Sequence, residues 1–146
     1  MGRAHDGRAG RPVLGRQGVV TYLLDTAPFL WAVASPEKLS PAVRTLIESR
    51  KHPLFVSVSS LWEVVVKAQK GLLPLEDPPR WLEAGLKSIE AEVLPIRTAH
   101  VYQVGRLPLI HKDPFDRLLL AQAASEGWVL VSNDETVRQY PVATVW

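Results

Sequence analysis

Apolar residues fall along this chain in short clusters, and their spacing switches repeatedly between strand-like and helix-like. Residues 19–24 form a short run of β character that ends at Asp25, as expected of a central strand buried on both faces. Asp25-Thr-Ala-Pro28 then opens a helix that runs through Val33, and Ser40-Pro41 starts another with Val43, Leu46 and Ile47 on one face. Residues 54–58 read as a second strand. Ser59 or Ser60 caps the next helix, which runs to about Lys70 and stops at Gly71. Its expected face is Leu61, Trp62, Val65, Val66 and Ala68, and Glu63 lies inside this apolar segment. Residues 72–79 are a proline-broken loop. Residues 80–89 follow as an amphipathic helix with Trp81, Leu82, Leu86 and Ile89 apolar. Residues 93–96 read as a short strand, and Thr98 caps a helix to about Arg106. Residues 128–131 are another apolar strand, then Ser132-Asn-Asp-Glu135 leads into a short helix, and residues 142–145 suit a last strand. Strands that are apolar throughout, alternating with helices, predict an α/β domain with a mostly parallel sheet.

The segment before the 128–131 strand stands apart. His111-Lys-Asp-Pro-Phe-Asp-Arg-Leu-Leu-Leu-Ala-Gln-Ala-Ala124 places Asp113 and Asp116 at the mouth of a helix that is apolar on almost every side. Pro114 suits a first helical position, which makes Asp113 the N-cap and Asp116 the third helical residue. A carboxylate at the dry mouth of a buried helix needs a cap, a cation or a role.

Composition narrows the picture. The 146 residues suffice for one domain with a real core, and 47% hydrophobic and 22% charged residues are ordinary for a globular protein. There is no cysteine, which excludes disulfides and thiolate zinc sites. No apolar run is long enough for a transmembrane helix. The formal net charge is +2, but residues 1–18 hold four arginines against Asp6, a local excess of +3, so the rest of the chain is −1. Residues 1–18 read as a disordered basic tail or extension and residues 19–146 as the domain, with the natural start expected at Val19 or Val20. Any nucleic-acid binding by the domain must then use a local basic rim.

In open α/β sheets the functional crevice lies beyond the carboxyl ends of the strands. Asp25 falls at such an end, Asp134 falls just past the 128–131 strand, and Glu63 and Asp116 sit in the first turns of their helices. These four acids could converge on one sheet edge. Clustered carboxylates raise one another's pKa unless cations neutralise them, and hard divalent ions such as Mg²⁺ or Mn²⁺ are the natural partners. Such ions activate water and stabilise a phosphodiester in displacement. Each acid also has a plainer reading: Asp25 and Asp134 as N-caps, Asp116 as a capping-box-like residue, and Glu63 as an ion pair with Lys67. Thr26 and Ser132 adjoin candidate acids, as supporting donors or as turn residues, and Arg117 and Lys112 could touch phosphate or stay solvated. His100 and His111 lack a second ligand at helical spacing and read as surface or core histidines. Trp62, Trp81 and Trp128 lie on apolar faces and read as core rather than as platforms for bases.

An ordered set of motifs carries a resemblance. It comprises Tyr22-Leu-Leu-Asp-Thr26 with Leu30-Trp31, Val56-Ser-Val-Ser-Ser-Leu-Trp-Glu63 with Lys67 and Lys70-Gly71, Leu73-Pro74, Trp81-Leu82, Leu107-Pro108, the segment from His111 to Ala123, Leu130-Val-Ser-Asn-Asp134 and Trp146. Together they make residues 21–146 resemble a PIN-domain ribonuclease of the VapC toxin type. The resemblance implies a three-layer α/β/α fold and a metal-dependent endoribonuclease acting in the cytoplasm. It implies that Asp25, Glu63, Asp116 and Asp134 are the catalytic, metal-binding acids, and that Asp113 is a cap. It also implies an RNA substrate, a homodimer and a cognate antitoxin that neutralises the enzyme. Ala27 stands where many relatives carry His, and the basic tail is not a family feature. Two rival readings remain at this point: metal-dependent phosphatase or phosphotransfer chemistry with a nucleophilic Asp, and a non-catalytic binding module whose acids only cap helices.

Overall fold

The computed structural model describes residues 19–146, so the expectation for residues 1–18 lies outside the described residues. Five strands form one sheet, and every pairing in it is parallel. They are β1 (Tyr22–Leu24), β2 (Leu54–Ser57), β3 (Ala91–Leu94), β4 (Val129–Val131) and β5 (Thr144–Val145), in the order β3-β2-β1-β4-β5. Six α-helices connect them: α1 (Thr26–Ala34), α2 (Pro41–Glu48), α3 (Val58–Gln69), α4 (Pro78–Ser88), α5 (Thr98–Val104) and α6 (Pro114–Glu126). Short 3-10 turns lie at Pro36–Lys38 and Val137–Gln139. The α/β class and the parallel sheet are as the hydrophobic pattern predicts.

Pleating divides the core in two. Leu24, Val56 and Val131 point to one face, where they meet Phe29, Val43, Ile47, Val64, Leu82 and Leu86 of α1 to α4. Leu23, Leu94 and Leu130 point to the other, against Leu119, Leu120 and Ala123 of α6 and against Leu107, Val137 and Tyr140. The sheet is therefore sandwiched, with α1 to α4 on one side and α5 and α6 on the other. Gly85 lets α4 approach α1, since a Cβ there would meet Val33 at 3.1 Å. The chain winds outward from β1 through β2 to β3, then jumps back to place β4 on the other side of β1. That reversal opens a crevice beyond the carboxyl ends of β1 and β4.

Several boundaries differ from the expectation. Pairing in β1 begins at Tyr22, and β3 lies two residues earlier than expected. As an edge strand, β3 exposes Glu92 and Val93 rather than being apolar throughout. The cap of α3 is Ser57, whose hydroxyl accepts from the Ser59 amide, so Ser59 and Ser60 lie within the helix. Arg97, not Thr98, precedes α5, and its amide donates to His100 Nδ1. The buried face of α3 is Ser59, Ser60 and Val64, while Trp62 and Val65 are exposed. The small serines bring α3 close to the start of α1, which turns the larger apolar side chains outward. Trp81 and Trp128 do pack against the core.

One polar knot fixes the loop ahead of α6. Arg117 is buried and donates to the carbonyls of Val104 and Pro108 and to the Tyr140 hydroxyl. The same hydroxyl accepts from the amides of Ile110 and His111, at 3.1 and 2.6 Å. Tyr140→Phe should leave three donors short of a partner and destabilise the protein by about 1–3 kcal/mol in urea unfolding. A change of under half that, with an unaltered slope, would mean that the knot contributes nothing special.

Candidate active site at the carboxyl edge of the sheet

Asp25 is set by backbone pairing. Its amide donates to the Val131 carbonyl, extending the β1–β4 ladder by one residue. Its carboxylate then caps α1, with Oδ1 accepting from the Thr26 amide at 2.7 Å. Oδ2 accepts from the Ser132 hydroxyl at 2.8 Å. Ser132 Oγ in turn accepts from the Asp134 amide, so one hydroxyl spans two acids. Burial pushes the Asp25 carboxyl above its ordinary range; the bonds from Ser132 and Thr26 oppose this, and the charges of Glu63 and Asp134 add to it.

Asp134 follows β4 in a turn closed by its own side chain. Oδ1 accepts from the amides of Thr136 and Val137, and Oδ2 lies 3.1 Å from His111 Nε2. Partial burial works upward on this carboxyl, but the bonds from His111, Val137 and Thr136 outweigh it and hold the group low. Glu63 enters from α3. Thr26 Oγ1 donates to its Oε1 at 2.8 Å, and Lys67 Nζ pairs with its Oε2 at 2.8 Å. Thr26 Oγ1 also lies 2.9 Å from Ser60 Oγ, which ties the start of α1 to α3.

Asp116 differs from the others. Asp113 caps α6 by accepting from the Phe115 amide, so Asp116 is not needed as the cap. Its Oδ2 lies 3.0 Å from His111 Nε2. Burial first, then the charges of Asp25 and Asp113, push its carboxyl up to about 7, with His111 opposing and Asp134 adding to the rise. His111 Nδ1 accepts from the Asp113 amide, so Nε2 carries the proton shared between Asp116 and Asp134.

Asp116 and Asp134 are thus joined through His111, Asp25 lies near enough for charge to act between it and Asp116, Asp134 and Glu63, and Glu63 stands beside Lys67, with Asp25 and Glu63 outside the tightest group. His111, Asp116 and Asp134 each offer one ligand atom, all within 4.8 Å of one another. With the His111 N–H held between them, it is the carboxylate oxygens of Asp116 and Asp134 that fit a hard divalent ion such as Mg²⁺ or Mn²⁺. Two expectations are corrected. His111 is neither a stray surface nor a core histidine but part of the pocket; its partners are distant in sequence, so helical spacing could not disclose them. Arg117 cannot reach a phosphate from this position, because its guanidinium is buried against carbonyls and Tyr140. His100 is a core histidine, fully buried and bonded to Glu126 at 2.7 Å.

The family model described as PIN domain matches residues 22–143. Over 144 residues the chain is 31% identical to Ribonuclease VapC22 of Mycobacterium tuberculosis, an alignment spanning 88% of this chain and all of that protein. Among solved structures, VapBC2 from Rickettsia felis bound to a promoter DNA fragment superposes with a TM-score of 0.62 at 16% identity, covering 86% of this chain and 98% of that one. DNA-bound VapBC from Salmonella typhimurium gives 0.64 at 19% identity, with 87% and 98% covered. VapBC-5 from Mycobacterium tuberculosis gives 0.55 at 20% identity, with 86% and 98% covered. These structures share the fold.

The crowding of charge has a measurable consequence. A carboxyl whose pKa is raised on folding stabilises the protein below its unfolded value, and that contribution is lost as pH rises through the folded value. Asp116 should therefore make the metal-free protein less stable as pH climbs from about 4 to about 7. Calorimetry in a chelator should show a smaller loss of Tm across this window for Asp116→Asn than for the parent, and a higher Tm for the variant at pH 8. Parallel Tm profiles for the two proteins would contradict the assignment.

Proposed function

The chain belongs to the PIN domain family, in its VapC group, and from that premise we propose that it is a metal-dependent endoribonuclease, the toxin of a toxin–antitoxin pair. The observation that carries the reading is Asp116: a carboxylate that caps nothing, held at a dry helix mouth among other acids and raised to about 7. A module whose acids only close helices would have no use for such a group.

Asp25, Asp116 and Asp134 would hold Mg²⁺ or Mn²⁺, with Glu63 completing the acid pocket from the rim. The bound ion would supply positive charge that makes water a better nucleophile and offsets charge building on the phosphate. The chain supplies orientation. Ser132 and the Thr26 amide fix the two oxygens of Asp25, and the amides of Thr136 and Val137 leave only one oxygen of Asp134 facing the crevice. Thr26 and Lys67 hold Glu63. Water adds to phosphorus, the bond to the 3′ oxygen breaks, and the products carry 5′-phosphate and 3′-hydroxyl ends.

The name of the mycobacterial relative supports RNA as substrate, and the VapBC complexes support a partner antitoxin. The reading places the enzyme in the cytoplasm; among the described residues no helix is long and apolar enough to cross a membrane. A homodimer completes the proposal.

Asp25→Asn and Asp116→Asn should each lower RNA cleavage by about 10²–10³-fold and relieve toxicity on expression. Mg²⁺ or Mn²⁺ should raise the Tm of the parent and do so far less in the variants. Variants that cleave RNA as fast as the parent would end the metal mechanism, and a trapped phospho-aspartate would replace it with phosphotransfer.

A further inference from the structure

We propose that Trp62 is a stacking platform for an unpaired RNA base beside the bond that is cut. The inference rests on the ribonuclease reading and adds to it a residue that sets the register of the substrate. Trp62 immediately precedes Glu63 on α3, and Phe115 immediately precedes Asp116 on α6. Their rings meet edge to face, with centroids 4.9 Å apart and planes at 63°. An aromatic pair therefore bridges the two helices that bring acids into the crevice.

Trp62 nevertheless keeps 58% of its surface in water. The contact with Phe115 restrains the indole, so less rotamer freedom remains to be lost when a ligand stacks on it. Val58 and Val65, 38% and 39% exposed, lie four residues before and three after on the same side of α3. Together the three side chains cover about 10 Å of helix. That span suits one or two bases stacked about 3.4 Å apart. A flanking phosphate would find a cation nearby, since Lys112 is exposed next to His111. Single-stranded RNA is held in this way, by aromatic faces for bases and by cations for the backbone.

The test uses the full chain and a single-stranded oligoribonucleotide that the parent cleaves, with versions abasic at each position flanking the cut. Trp62→Ala should lower kcat/KM roughly 10- to 100-fold, mostly through KM, while Trp62→Phe keeps most of the activity. An abasic site at one flanking position should erase the difference between Trp62→Ala and the parent. In the Asp116→Asn background a mixed-sequence oligoribonucleotide should quench tryptophan fluorescence, and Trp62→Phe should remove that quenching. Equal cleavage and unchanged quenching in the Trp62 variants would overturn the proposal. So would an effect of Trp62→Ala confined to self-association or to antitoxin binding, which would make the patch a protein interface. A parent that cleaves no RNA but shows Trp62-dependent quenching would defeat the ribonuclease reading and leave the platform standing; absence of both would defeat both.

Discussion

Like charges crowded at a dry edge are the condition that the rest of this molecule answers. Asp25 is buried at the end of β1, and Asp116 and Asp134 are each partly shielded from water around the same crevice. Left alone, such groups would separate or take up protons. The fold prevents the first: Asp25 is locked by the β1–β4 ladder and by its cap on α1, and Asp134 by its own turn. At Asp116 burial first, and then the charges of Asp25 and Asp113, push the carboxyl up to about 7. A divalent cation bound there would relieve the same crowding, so affinity for metal and instability without it would have one origin.

Holding that arrangement shapes the elements around it. A parallel sheet whose winding reverses beside β1 brings the end of β1 and the end of β4 together, and the acids hang from those ends. Ser59 and Ser60, small and buried, let α3 come near enough for Thr26 to reach Glu63. The same close approach rotates Trp62 out of the core. Tyr140 and Arg117 fix the loop that carries His111, so a ring nitrogen sits between two carboxylates. The acids here are held by both backbone and side-chain partners, which suits a site that must keep its shape before any ligand arrives.

Much of this was legible in the order of residues, for identifiable reasons. The short apolar run 128–131, rich in Val and bounded by turn residues, suits a strand buried on both faces, and Ser40-Pro41 and Asp113-Pro114 mark helix starts through local chemistry that needs no tertiary context. Asp25 and Asp134 could be placed because a strand end is a local feature. His111 could not, since its ligand partners come from α6 and from the turn after β4, and no spacing along the chain encodes that meeting. Arg117 was misread for the converse reason: a cation in a catalytic motif suggests phosphate, but its neighbours are the carbonyls of a loop whose path is tertiary. On α3 the apolar pattern names the wrong face, because it takes Ser59 or Ser60 as the cap, whereas Ser57 caps the helix and both of these small residues point inward.

The bond from Ser132 to Asp25 joins positions 107 residues apart. Closing so long a stretch of chain is slow, and nothing local rewards it until β4 has docked beside β1. A chain caught before that moment, whether newly made or partly opened, holds its acids on separate segments with no shared hollow between them. Competence to harm nucleic acid therefore arrives only with the final assembly of the sheet, and a partner that kept β4 from seating would disarm the molecule without touching a single acidic side chain.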